Sequence, residues 1–132
     1  MKITRFYATE SGESRFVEID IPIEHGRRDA DGNILRFSHS YSSPDVCFAE
    51  LPDGMVQGWH HAPARQIVVV LSGELEVGTT DGQTRRWRAG GAFLASDLTG
   101  QGHTTKTVGG PARLLFAPLP EDFDIERWSA EQ

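Results

Sequence analysis

A chain of 132 residues with a net charge of −6 and one cysteine has room for a single domain with its own core. The acidic balance excludes a general affinity for nucleic acid, which needs a concentrated basic face, and the lone Cys47 excludes an intramolecular disulfide. Residues 1–6 lack signal-peptide character and no apolar run is long enough for a transmembrane helix, so the expected location is the cytoplasm, with no membrane partner.

In chain order, the first strand is expected over residues 16–23, followed by strands over 34–41 and 46–51. Turn-forming residues separate them at Asp31-Gly32-Asn33 and Ser42-Ser43-Pro44-Asp45, and Pro52-Asp53-Gly54 follows the third. Residues 65–71 hold the run Ile67-Val68-Val69-Val70-Leu71, too short and too β-branched for a helix. Glu74-Leu75-Glu76-Val77 alternates polar and apolar, and Asp81-Gly82 suits a tight hairpin turn before a return strand over 83–88. Ala89-Gly90-Gly91 turns the chain into 92–96, and a last strand over 112–117 stops at Pro118 and Pro120. A short helix is expected over 121–128, where Pro120 and acidic residues suit its N-terminus.

Short strands at this spacing mean an all-β sandwich or small barrel, one domain over 1–132. The run 67–71 is apolar on both faces. One face can line a barrel; the other needs cover from the N-terminal strands or from a second copy, and a two-fold homodimer is the commonest such arrangement.

The polar residues divide into framework and candidates. Arg85-Arg86-Trp87-Arg88 alternates as a solvated strand edge, and Cys47, between Val46 and Phe48, reads as a small buried hydrophobe. Glu50, Arg36 and Tyr41 are strand polars that can line a cavity, with Glu50 either a general base or an ion-pair partner of Arg36. His39 is expected in a strand beside Tyr41, His61 facing solvent, and His25 in a polar turn without a signal. Trp59 and Trp87 read as packing aromatics, Trp59 flanking the candidate site.

Two strings concentrate the chemistry: Trp59-His60-His61-Ala62-Pro63-Ala64-Arg65-Gln66, and Asp97-Leu98-Thr99-Gly100-Gln101-Gly102-His103. They resemble the two motifs of the cupin family over residues 46–118. Gln66 stands seven before Gly73, in the place of the family's Glu or Gln, and Gly100 and His103 match the end of its second motif. Only one first-motif histidine matches in either register, His60 or His61, and His60 fits the narrower string Trp-His-any-Ala-Pro-any-Arg-Gln. Adjacent strand residues face opposite ways, so both histidines reach one site only across a bulge. The resemblance implies a double-stranded β-helix, or jelly-roll barrel, with its site at the mouth. It further implies a small-molecule enzyme, with three readings open. In the first, His60, Gln66 and His103 bind a divalent Fe, Ni, Zn or Mn in a metal-dependent oxygenase. In the second, His60 and His103 are acid and base in a metal-free isomerase, lyase or cyclase. The third is a non-catalytic binder of a small metabolite.

Overall fold

The computed structural model describes residues 1–129, and their architecture is the expected jelly-roll barrel. Strands β1 (Lys2–Ala8), β2 (Ser14–Asp20), β5 (Cys47–Leu51), β7 (Gln66–Ser72), β10 (Ala92–Ser96) and β12 (Ala112–Pro118) form one sheet in the order β2-β1-β10-β7-β12-β5. The facing sheet runs β6-β11-β8-β9, from β6 (Val56–His60), β8 (Glu74–Gly78), β9 (Thr84–Arg88) and β11 (His103–Thr107). A separate hairpin pairs β3 (His25–Arg28) with β4 (Ile34–Phe37), exposed along its whole length. Observed strands 14–20 and 34–37 replace the expected 16–23 and 34–41.

Strand alternation divides the core in two. Phe6, Val68, Val70, Leu75, Val77, Phe93 and Leu114 point between the sheets and form the barrel interior. Their strand neighbours Ile3, Ile19 and Leu94 point outward and are covered by Leu119 and Trp128 from the C-terminal segment. The expected helix over 121–128 is only a 3₁₀ turn, Ile125–Trp128. Asp124 caps its start, and the chain then bends back so that Ser129 bridges to Ile19, which leaves no length for an α-helix.

The run 67–71 is half covered. Ile67 packs against the Leu119–Trp128 cluster, whereas Leu71 is exposed and Val69 only half-buried. Val69 continues across the sheet into Leu115 and Phe48, and Phe48 is 71% exposed. Arg85, Arg86 and Arg88 sit on β9 at the edge of their sheet as expected, paired with Glu18, Glu76 and Glu74. Trp87 faces inward against Phe93.

Surface carboxylates tie stability to pH. A hydrogen bond from the Thr4 hydroxyl, helped by Arg85, holds Glu18 below the usual carboxylate range. Arg86 and Lys106 do the same for Glu76, and the Thr79 hydroxyl for Asp81. Because each folded pKa lies below the unfolded one, their stabilisation is complete at neutral pH and drains as pH falls from about 4. Denaturant midpoints should therefore fall steadily between about pH 5 and pH 2; a flat profile over that window would contradict these contacts.

Candidate functional site

The two histidine strings meet because β6 and β11 are paired, with His103 directly opposite His60. The register then shifts, so that Thr105 stands opposite Gln57. Two residues of β6 thus face one of β11, a bulge that reverses the inside–outside alternation and lets both Gln57 and His60 line the barrel cavity. Gln66 enters from β7 in the opposite sheet and is buried. His60, Gln66 and His103 therefore all line one cavity, as the motifs imply.

The loop between β10 and β11 is shaped for this approach. Gly100 and Gly102 have φ of +77° and +83°, the left-handed region that suits glycine. A Cβ on Gly102 would sit 2.1 Å from the His60 carbonyl oxygen, so only glycine lets the loop lie against β6. The N-terminal hairpin pins the same loop: Ser14 Oγ donates to the Gly102 carbonyl at 2.7 Å, and Gln101 N–H donates to the Gly12 carbonyl at 2.8 Å.

That loop folds Asp97 back onto His103. Asp97 is fully buried, and its Oδ2 accepts a hydrogen bond from His103 Nδ1 at 2.5 Å. Its Oδ1 and its carbonyl both face the Ala62 N–H, at 3.3 Å and 3.2 Å, which ties the carboxylate to the first motif. With Nδ1–H committed to Asp97, the neutral His103 ring keeps a lone pair on Nε2. His60 donates from Nδ1 to the Gly58 carbonyl at 2.7 Å, which sets the same tautomer there. The two rings lie 4.3 Å apart between centroids, and Phe6 packs on the other side of His103 at 4.6 Å. The Gln66 side-chain amide makes no hydrogen bond to the described residues, and its place in the cavity lining leaves it open to a ligand.

Asp97 and Gln57 are the site residues that motif spacing does not single out. Asp97 could be found from a lone carboxylate separated from His103 by two glycines able to turn the chain; Gln57 depends on the bulge, which has no sequence signature.

Several other expectations are corrected. Cys47 is exposed, because β5 is the sheet edge, and it borders the cavity rather than filling core. Glu50 is exposed on the outer face, 3.9 Å from Arg113, and does not meet Arg36. Arg36 donates to the Ile23 carbonyl from the outlying hairpin, and Tyr41 packs edge-on against Phe123 and Trp128. None of the three lines the cavity. His39 lies beyond β4 and pairs with His25, not Tyr41, at 3.2 Å between ring nitrogens. Trp59 is exposed rather than packed. His61, by contrast, is exposed as expected, and it hydrogen-bonds the Gly100 carbonyl at the mouth.

As ligands for a metal, His60, Gln66 and His103 are a neutral set. Two imidazoles and a neutral amide supply no anion, and Asp97 is engaged on the far side of His103. Among the described residues no group of three His, Cys, Asp or Glu side chains is placed to hold an ion.

Fold and site together define a small jelly-roll barrel whose mouth carries a buried histidine–aspartate pair. No protein-family model matches the chain, and no curated protein does. Among solved structures it is similar to an RmlC-like cupin from Shewanella frigidimarina, at 20% identity over 92% of this chain and 89% of that one, TM-score 0.40. It is also similar to NovW, a 4-keto-6-deoxy sugar epimerase from Streptomyces spheroides, at 15% identity over 86% and 67%, TM-score 0.42. The cupin domain of Schizosaccharomyces pombe Cnp3 is a third, at 19% identity over 89% and 87%, TM-score 0.43. At these similarities no activity is carried over to this chain.

Proposed function

We propose that this protein is a small-molecule enzyme of acid–base type, an isomerase or lyase in which His103 is the general base. The observation that carries the reading is the 2.5 Å contact between His103 Nδ1 and the fully buried Asp97. The carboxylate orients the ring, fixes the tautomer with Nε2 available, and balances the charge of the imidazolium formed when Nε2 takes a proton. The step is abstraction of a proton from the carbon next to a carbonyl. The C–H electron pair becomes the new double bond between the α-carbon and the carbonyl carbon, and the carbonyl π pair moves onto oxygen, where the Gln66 amide N–H can donate. His60 is the second proton carrier: the proton taken by His103 passes to the His60 Nε2 lone pair, and its delivery from there to a different atom or face of the enolate completes an isomerisation and leaves both rings as they began. Apolar walls from Phe6, Phe93 and Leu114 keep water from competing.

Small enolisable ketones incubated with the protein in D2O test this directly. Deuterium should appear at the α-carbon, followed by NMR, and the exchange should need no added metal. The carboxylate–imidazole contact also occurs behind metal-bound histidines. If exchange is absent, while Fe(II), Mn, Ni or Zn binds stoichiometrically and Fe(II) supports oxygen uptake, the metal-dependent oxygenase reading replaces this one. Saturable binding of a metabolite with neither chemistry would leave a binding module.

We also infer that the chain pairs with a second copy through the outer face of the six-stranded sheet. Phe48, Leu115 and Val69 form a continuous apolar row there, and Leu71 adjoins it. Glu50 and Arg113, exposed by 80% and 67% on the same face, supply opposite charges to a two-fold contact. Sedimentation at micromolar concentration should give a dimer mass, reduced to a monomer by Phe48→Arg. A native monomer would reject the interface.

A further inference from the structure

The structure assigns a ligand class to the cavity: a neutral molecule with an apolar body and one carbonyl or hydroxyl end, an assignment that rests on the acid–base reading of the same site. The cavity encloses about 360 Å³, the size of a small-metabolite pocket. Its walls are mainly the aliphatic and aromatic side chains of the barrel interior, with Leu75, Val77, Phe93 and Phe116 among them. Polar groups gather at one end. His60 and His103 face each other across paired strands, and Gln57 joins them through the bulge.

No lysine or arginine lines this space. The four cations adjacent in sequence to lining residues all point elsewhere: Arg5, next to Phe6, donates to the Ser96 hydroxyl at 2.8 Å, and Arg113, next to Leu114, lies 3.9 Å from Glu50 on the outer face. Arg65, next to Gln66, donates to the Phe123 carbonyl at 2.7 Å, and Lys106, next to Thr105, lies 3.3 Å from Glu76. The titratable groups that do face the ligand space are His60, His61, His103 and, at its edge, Cys47; Asp97 stands directly behind His103. With imidazoles neutral, the fixed charge nearest a bound ligand is therefore negative. A carboxylate or phosphate would lose its hydration, meet no permanent cation and approach Asp97, whereas a ketone or alcohol loses far less. The polar end also suits a neutral oxygen: Gln66 offers an amide N–H, and each imidazole an Nε2 that accepts when neutral and donates when protonated.

Benzyl methyl ketone and phenylacetate are similar in shape and differ in charge, so their relative affinity reads the assignment. In calorimetric or NMR titrations at mildly alkaline pH, the ketone should bind at least about tenfold more tightly. Gln57→Arg, which introduces a cation at the mouth where the residue is already exposed, should raise phenylacetate affinity by about tenfold. Equal or tighter binding of phenylacetate to the native protein, or no saturable ketone binding, overturns the assignment. The same samples in D2O separate this from the reaction. Ketone binding without α-deuteration removes the acid–base step and leaves the ligand class standing. Exchange confined to anionic carbonyl compounds does the reverse.

Discussion

Asp97→Asn should slow α-deuterium exchange by about 100- to 10,000-fold, the range a positioned acid–base group contributes. The effect comes from the proton inventory. An asparagine can still accept the Ala62 N–H through its oxygen, which turns its NH2 toward His103 Nδ1. Nδ1 must then be the acceptor, so the ring proton moves to Nε2, and the lone pair that removes the substrate proton is gone. Ketone affinity should change little, because residue 97 does not itself line the cavity, and this separates a lost base from a lost pocket. His103→Ala should show a comparable rate loss with the cavity enlarged. Asp97→Asn with exchange within a factor of about three of the native rate would show that the carboxylate serves packing alone.

Gly102→Ala should be the most damaging single methyl in the chain. The added Cβ falls 2.1 Å from the His60 carbonyl oxygen, a backbone atom in a paired strand, while φ at +83° already disfavours any side chain. Strain and overpacking together predict about 3 kcal/mol of lost stability, or a fall of about 10 °C in melting temperature. Gly82→Ala provides the control. Its φ is nearly the same, +82°, but nothing lies within 4 Å of its Cβ, so only the conformational part, about 1 kcal/mol, should appear. Equal losses at the two positions would mean that the loop does not need to touch β6.

How much of this was legible beforehand follows from which way each strand faces. β7, β8, β9, β10 and β12 declared themselves because they put aliphatic residues inward and charges outward, or carry β-branched runs. β6 and β11 were invisible as strands: Val56-Gln57-Gly58-Trp59-His60 and His103-Thr104-Thr105-Lys106-Thr107 turn polar side chains toward the cavity, and a functional interior erases the hydrophobic alternation that marks a wall. β1 was missed for the opposite reason. Ile3 packs outside and Phe6 inside, so its apolar residues follow no single period. The site's location and its three motif residues came from the resemblance to the two cupin motifs. Its working partner, Asp97, came only with the folded loop, since a buried carboxylate in sequence looks like any turn aspartate.

The pairing of β1 with β10 is parallel and joins the first strand of the chain to residues 92–96. Beyond it, the turn after β1 and the start of β2 hold the loop that presents His103. During synthesis these residues therefore emerge well before the strand and loop they dock against, about 90 positions further along the chain. The pocket is closed by contacts of high sequence separation, whose loop-closure cost makes them slow to form.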